Sequence, residues 1–186
     1  MDYLLIFIEI ITPLLIALAV LWVDRKVRDN DEFDSIIDGL IGELCQNLAK
    51  ARTQKSAVDE KIDLMKKGGW NRTPDPFLSS DAYHRAVASE VFFRVMRKSD
   101  TNLVRKLMDY YASQEVVNEE IQQLNQAKFD FLIHRNISVD VCELLLGQQK
   151  KTIQAVIEPN IIGLLIMFSS MKIKYRDTIK LYGNDA

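Results

Sequence analysis

The pattern of hydrophobic positions begins with one continuous apolar run. It extends from Leu4 to Val23 and has the sequence LLIFIEIITPLLIALAVLWV, about the twenty residues that an α-helix needs to cross the core of a bilayer. No basic region precedes the run and no small-x-small cleavage site follows it, which argues against a cleaved signal peptide. A core helix would carry a polar stripe, whereas only Glu9, Thr12 and Pro13 interrupt this run. The sequence therefore predicts a retained transmembrane helix.

Basic residues stand directly after the run, at Arg25, Lys26 and Arg28, and none stands before it. Flanking segments rich in Lys and Arg tend to stay on the cytoplasmic side of a membrane. The pattern thus predicts a single-pass protein of the cell membrane whose C-terminal domain is cytoplasmic. The predicted domains are residues 1–29, the anchor with its basic juxtamembrane step, and residues 30–186, a helical bundle.

Glu9 is the one ionisable residue within the span, and a charge near the bilayer centre costs about 2.5 to 3.5 kcal/mol on insertion scales. Its carboxyl group either reaches the outer headgroups or is protonated, or it faces another helix in the membrane. Pro13 favours the last hypothesis, because it cannot donate to the Glu9 carbonyl and so leaves this turn kinked and polar. Glu9 and Pro13 are therefore candidate residues for contact with a membrane partner.

Two later stretches carry apolar residues at alternating spacings of four and three, the pattern of a helix that packs along a seam. They extend from Phe33 to about Lys67 and from Thr101 to about His134. Each would form a helix about 50 Å long at 1.5 Å per residue. The matched lengths predict that the two helices lie against one another, most simply antiparallel. Three polar residues interrupt the seams, at Lys55, Gln114 and Lys128.

An irregular segment separates the two seams, because two prolines within Gly68 to Ser80 exclude a continuing helix. Gly68 predicts the C-cap of the helix before it. Trp70 and Phe77 are expected to pack against the tip of the bundle rather than to bind a partner. A serine or aspartate at 79–81 then caps a third helix, which runs to about Lys98.

The last third of the chain is helical again from Asn136 to Tyr182, with a kink or a fresh helix start at Pro159. The apolar stretch from Ile161 to Phe168 is too short to cross a bilayer and is expected in the core, although it could also touch a membrane or another subunit. The predicted fold is all-α: an N-terminal transmembrane helix followed by an elongated antiparallel bundle of four or five helices with coiled-coil-like seams.

Composition excludes some function classes. The chain has 24 Lys and Arg against 26 Asp and Glu, so no overall field attracts nucleic acid. Cys45 and Cys142 lie on apolar helical faces without CxxC spacing, which predicts buried, reduced thiols.

No residue pattern indicates catalysis or a bound cofactor. His84 and His134 each have an aspartate one turn away, but the paired Glu-x-x-His motifs of metal-binding bundles are absent. Motifs of serine hydrolases, nucleotide-binding loops and zinc proteases are missing as well. We therefore expect no enzyme activity, no metal, no cofactor and no small-molecule substrate.

Two segments carry a resemblance to known proteins. They are WNRTPDPFLSSDAYHRAVAS and LVRKLMDYYASQEVVNEEI, a Trp/Pro/Phe loop that leads into a short helix and a helix with a Leu-x-x-x-Tyr element followed by an asparagine. Together with the anchor and the basic step, they cover about two-thirds of the chain. In this order of parts the chain resembles a group of prokaryotic single-pass membrane proteins with a cytoplasmic helical domain. The resemblance implies no particular activity.

These features indicate a membrane-anchored structural or interaction protein, an accessory subunit or scaffold of a larger assembly. Its expected partners are the lipid bilayer and other protein subunits or further copies of itself. The alternative is a membrane-tethered sensor or effector, for example in stress or phage defence, in which Lys55, Gln114 and Lys128 are switchable layers of the bundle. A bundle enzyme or metal protein is the third hypothesis.

Overall fold

The computed structural model describes residues 2–69, 74–92, 96, 101–134 and 138–171, and it gives only the backbone for residues 2–14, His134 and Met171. The described part of the chain is helical and contains no strand, which confirms the prediction of an all-α bundle. Six α-helices are named here in chain order: α1 (Asp2–Ser56), α2 (Val58–Lys66), α3 (Asp81–Ala88), α4 (Thr101–Phe129), α5 (Val139–Thr152) and α6 (Glu158–Met171).

Short π-helical segments adjoin three of these helices. Asp130–His134 follows α4, and Ile153–Ile157 joins α5 to α6 without a break. Pro159 lies in the first turn of α6, where its missing N–H is tolerated. The wider π-helical turn directly before it lets the chain stay helical across the proline. The predicted break at Pro159 is therefore a change from π-helical to α-helical geometry within a continuous helix.

Helix α2 continues the direction of α1 after a one-residue interruption at Ala57, and it ends in a Schellman motif. The N–H of Gly69 donates to the Leu64 carbonyl at 3.0 Å and the N–H of Gly68 to the Met65 carbonyl at 2.8 Å. Gly68 has a φ of 77°, a conformation that glycine adopts without steric cost. The predicted C-cap is confirmed.

The third helix is shorter than predicted. Helix α3 ends at Ala88, because Ser89 is extended with a ψ of 120°. The Ser89 hydroxyl accepts a hydrogen bond from the Phe92 N–H and donates one to Glu32. Residues 90–92 and 96 are again helical. A serine that caps the following turn therefore breaks the helix that we predicted to run to Lys98.

The seam helices α1 and α4 lie parallel, so the prediction of an antiparallel pair is wrong. Tyr111 contacts Glu43 and Gln114 contacts Asn47, so that residue numbers rise together along the two helices. The intervening segment and α3 carry the chain back to the end where α4 begins. Helices α5 and α6 provide the antiparallel neighbours of α1 and α2, as three ion pairs show: Lys55–Glu158, Asp59–Lys150 and Lys66–Glu143.

Among the described residues, the buried apolar side chains form two clusters. The larger one joins α1, α3, α4 and α6, and it includes Leu44, Phe92, Tyr110 and Phe168. The smaller one lies between α2, α4 and α5 at the far end of the bundle. Within Ile161 to Phe168 four residues are fully buried, which confirms the expected core packing, while Ile166 is exposed.

One helical stretch, Val139–Ser170, is long and apolar enough to cross a membrane when judged by length and composition among the described residues. That test does not support the predicted N-terminal transmembrane helix. Of the apolar run, side chains are described only from Leu15 to Val23, a stretch shorter than a membrane span.

Candidate functional site

The most organised polar feature of the molecule surrounds residues 74–80, which we call the strap. The strap has no regular secondary structure, and it runs between α1 and α2 on one side and α4 on the other. Its main chain forms hydrogen bonds with side chains of these helices. Asp75 and Leu78 of the strap are buried, and their backbone groups need such partners because an unpaired buried backbone group is costly.

Three asparagines each bind both the N–H and the carbonyl of one strap residue. Asn125 accepts from the Asp75 N–H at 2.8 Å and donates to its carbonyl at 3.1 Å. Asn118 does the same for Leu78 at 2.9 and 3.0 Å, and Asn47 for Ser79 at 2.8 and 2.8 Å. The amides thus replace the neighbouring strand that a sheet would supply.

Further side chains donate to the remaining strap carbonyls. Gln54 donates to the Pro76 carbonyl at 2.6 Å and Lys50 to the Phe77 carbonyl at 3.1 Å. Gln114 donates to the carbonyls of Leu78 and Ser79 at 3.1 and 3.0 Å. Every residue from 75 to 79 therefore has its backbone bound by a helix side chain.

Glu43 caps α3 from a distant position in the chain. Its buried carboxylate accepts from the Ala82 N–H at 2.8 Å, the Ser79 hydroxyl at 2.9 Å and the Tyr111 hydroxyl at 2.5 Å. The adjacent N-cap residue, Ser80, makes no side-chain cap hydrogen bond. Glu43 supplies the negative charge that favours a helix N-terminus in its place.

Three tyrosines enclose this carboxylate. The rings of Tyr83 and Tyr111 stack with centroids 4.1 Å apart, and Tyr110 meets Tyr111 edge to face at 4.8 Å. Burial raises the pKa of the Tyr110 and Tyr111 hydroxyls above the ordinary value. The hydroxyl of Tyr111 therefore stays protonated and donates to Glu43, an arrangement that holds the strap and α3 in place.

At the start of the strap three charged residues lie together. Lys61 donates to Asp75 at 2.6 Å, while the second carboxylate oxygen of Asp75 is buried without a hydrogen-bond partner. Desolvation lowers the pKa of the buried Lys128, as does the nearby Lys61, and Asp75 opposes the shift. A cavity of about 460 Å³ beside Lys128 is lined mainly by apolar side chains of the strap, α4 and the π-helical turn.

The predicted juxtamembrane residues are exposed on α1. Arg28 forms an ion pair with Asp24 at 3.5 Å, and the Lys26 ammonium lies 5.0 Å from the centroid of the Trp22 ring. Glu9 and Pro13 lie within α1, but their side chains are outside the described residues. Their contact with a membrane partner stays a prediction.

The polar residues of the seams form contacts within the bundle, with Gln114 and Lys128 buried and Lys55 half-buried. Gln114 binds the strap, Lys55 forms an ion pair with Glu158, and Lys128 joins the charged group near Asp75.

Phe77 is 50% exposed, so the prediction that it packs on the bundle is wrong, and Leu78 is buried in its place. Trp70 lies outside the described residues.

The other candidate residues are separate. His84 is exposed and contacts the Ser80 hydroxyl, and the side chain of His134 is outside the described residues. Among the residues whose placement is described, no group of His, Cys, Asp and Glu could hold a metal ion. Cys45 and Cys142 are free and buried, as predicted.

Sequence reasoning missed the amides that bind the strap. A signal was nevertheless present, because Asn47 and Gln54 are seven residues apart on α1 and Asn118 and Asn125 are seven apart on α4. A spacing of seven keeps two side chains on one face of a helix. Paired amides at this spacing on two seam helices indicate a polar face that needs a common partner.

The chain matches no protein-family model, no curated protein and no solved structure.

Proposed function

We propose that this protein is a membrane-anchored interaction protein, an accessory subunit or scaffold whose helical bundle presents binding surfaces in the cytoplasm. Residues 1–29 form the anchor and basic step, and residues 30–186 form the bundle. The partners are the lipid bilayer and other protein subunits or further copies of the chain. The proposal includes no catalytic activity, metal or cofactor.

The observation that carries the proposal is the exposure of α1 before Phe33. Seven large apolar side chains between Leu15 and Val23 are each more than half exposed, including Leu21 at 64% and Trp22 at 63%. Exposed apolar patches of this kind mark interaction or membrane surfaces. The same helix then contributes a buried seam from Phe33 onward, so the exposed part is continuous with the bundle.

The alternative span, Val139–Ser170, has a different environment. Its residues Leu146, Ile153, Ile161 and Phe168 form the core with α1, α2 and α4. It also carries Glu158, whose side chain is 12% exposed and pairs with Lys55 and Arg52. Placing this stretch in a bilayer would remove the core from the bundle, which favours the N-terminal run as the anchor.

A membrane experiment tests the anchor. The double variant Leu15→Arg/Ile16→Arg should move to the soluble fraction on alkaline carbonate extraction and should no longer float with liposomes, because each arginine near the bilayer centre costs about 2.5 to 3.5 kcal/mol. The matched control Met108→Arg/Val116→Arg changes similarly exposed residues of the bundle and should stay with the membrane. Extraction of the unmodified chain by carbonate would contradict the proposal.

Orientation and partner contact need separate measurements. Protease added to inverted vesicles should digest the bundle, and digestion only in right-side-out vesicles would contradict a cytoplasmic domain. Chemical cross-linking of the variant Glu9→Leu in membranes should show fewer cross-linked complexes. Unchanged assembly and localisation would remove Glu9 and Pro13 as contact residues.

A second candidate function is a membrane-tethered sensor or effector, and Gln149 favours it. This side chain is fully buried, and neither its amide oxygen nor its amide nitrogen has a hydrogen-bond partner. It lies between the two core clusters, just before the π-helical turn at Ile153. An unsatisfied buried amide is a store of strain that repacking of the bundle could relieve. Lys55, Gln114 and Lys128 are the other polar layers of such a switch.

A further inference from the structure

The outer face of α5 carries a stripe of residues that the described part of the bundle leaves largely uncovered. Asp140, Leu144, Gly147 and Lys151 follow one another at spacings of four, three and four, which places them on one stripe of the helix. Leu144 is 70% exposed, the most exposed of the large apolar side chains described. Asp140 and Lys151 are both exposed, and neither takes part in an ion pair among the described residues.

The residues beside this stripe are already engaged within the chain. Glu143 pairs with Lys66, Lys150 pairs with Asp59, and Gln148 donates to Glu120. These contacts fix α5 on the bundle and leave the stripe itself facing outward. Together, the stripe, Glu143 and Gln148 line a shallow open groove along α5.

Nothing in the described part of one copy requires a glycine at position 147. A Cβ added at this position would meet nothing within 4 Å, and the backbone φ is not in the left-handed region. Glycine in a helix interior costs about 1 kcal/mol relative to alanine. A glycine at the centre of an exposed helical face lets another helix approach closely, as small residues do at helix contacts.

The stripe is complementary to itself when it is reversed. Suppose that a second α5 lies antiparallel to the first and that the two-fold axis of the pair passes midway between Leu144 and Gly147. Asp140 then faces Lys151 of the other copy at both ends, and each Leu144 faces a Gly147. Parallel pairing would instead place like charges opposite each other. We propose that a second copy of this chain docks on the outer face of α5 in this antiparallel register.

The contact is a small one. A single helix of 14 residues buries less than the roughly 1,200 Å² of a stable interface, so the pair forms and separates readily. Each exposed ion pair contributes about 0.2 to 1 kcal/mol, and the two leucines supply the apolar part. Because α1 lies antiparallel to α5 within each copy, the two N-terminal helices point in opposite directions in the pair.

The opposite directions of the two N-terminal helices limit where the pair can form, and this limit rests on the proposed membrane anchor. If α1 is a membrane anchor along the bilayer normal, two copies in one flat bilayer cannot form this contact, and the pair joins copies held in two facing bilayers. The contact itself is therefore measured on the full chain in mild detergent, where every orientation is accessible. Failure of the contact there is distinct from failure of the carbonate and flotation tests of the anchor.

Disulfide cross-linking tests the register. Asp140→Cys mixed with Lys151→Cys should form disulfide-linked dimers under mild oxidation, since the two positions face each other. Asp140→Cys alone should cross-link at least fivefold less, because in the antiparallel register two copies of position 140 lie about 16 Å apart along the axis at 1.5 Å per residue. The proposal would be overturned if Asp140→Cys alone cross-linked as strongly as the mixture, or if neither sample formed disulfide-linked dimers.

Charge reversal supplies an independent readout. With the dimer yield measured by sedimentation velocity in mild detergent, Asp140→Lys and Lys151→Asp should each lower the yield severalfold, and the double variant Asp140→Lys/Lys151→Asp should restore it. Asp109→Lys, a matched reversal at an exposed residue of α4, should have no effect. A double variant as defective as the single variants would refute the pairing.

Gly147 separates docking from folding. Gly147→Ala should raise the melting temperature of the monomer, because the helix loses its least favourable residue and gains no clash. The same substitution should lower the dimer yield, because the added methyl group keeps the partner's Leu144 away. An unchanged dimer yield for both Gly147→Ala and the bulkier Gly147→Leu would show that the second copy does not approach this face.

Discussion

Removing the Asn118 amide tests whether the helices hold the strap through its main chain. The variant Asn118→Ala loses two hydrogen bonds to Leu78, worth a net ~1 kcal/mol each, and leaves a buried N–H without its described acceptor at a further cost of about 1 to 3 kcal/mol. The better helix propensity of alanine returns about 0.5 kcal/mol. We therefore expect the free energy of unfolding to fall by about 2.5 to 4.5 kcal/mol.

The assay is thermal unfolding of the full chain in mild detergent, monitored by circular dichroism. For a chain of this size the loss corresponds to a melting temperature lower by roughly 5 to 18 °C. Chymotrypsin should also cleave faster after Phe77, which is half exposed but held in the strap.

The control variant Gln122→Ala removes an amide from an exposed position of α4 and should change stability by less than about 0.5 kcal/mol. If Asn118→Ala melts and is cleaved like this control, the amides do not hold the strap.

Three further variants test the buried polar groups. Glu43→Gln should lower the free energy of unfolding, measured in urea, by about 1 to 2 kcal/mol, because α3 loses the charge at its N-terminus. An effect no larger than that of the exposed Glu119→Gln would contradict the role of Glu43 as the cap of α3. Burial raises the pKa of Tyr111 in the folded state, so the contribution of this residue to the free energy of unfolding is complete below pH 10 and is lost as the pH rises further. Above pH 10 the free energy of unfolding should fall by about 1.4 kcal/mol per pH unit because of Tyr111, and Tyr111→Phe should make the fall with pH less steep by that amount. An equally steep fall in the variant would contradict the assignment. Gln149→Leu should raise the free energy of unfolding by about 1 to 3 kcal/mol, since it removes unsatisfied buried groups, and a loss of stability would show that the amide has a partner.

Hydrophobic periodicity predicted the interior of the seams well. Ile37, Leu48, Val58 and Met65 on the first seam are buried, and so are Leu107 and Ile121 on the second. The reason is direct, because a spacing of four and three places residues on the face that packs against a neighbour. The same pattern located Lys55, Gln114 and Lys128 as interruptions, and each of them lies at a polar layer of the bundle.

Periodicity could not predict the direction of the helices. A seam is equally periodic in either direction, so parallel and antiparallel pairing of α1 and α4 have the same pattern. An antiparallel pair was the simplest arrangement of two matched seams, but the strap and α3 carry the chain back, so that α4 runs parallel to α1. The cap on α3 was also hidden, because Glu43 lies 39 residues from Ala82 and no local motif connects the two.

The parallel arrangement of α1 and α4 and the amides that bind the strap have a common cause. Two parallel helices need a return connection, and here an extended segment returns through the groove between them. The main chain of that segment has no strand beside it, so its N–H and carbonyl groups must find partners on the helices. Amides suit this task because each both donates and accepts, and positions seven residues apart stay on the side of each helix that faces the groove. The spacing of Asn47 and Gln54, repeated by Asn118 and Asn125, is thus a trace in the sequence of the parallel topology that the hydrophobic seams left undetermined.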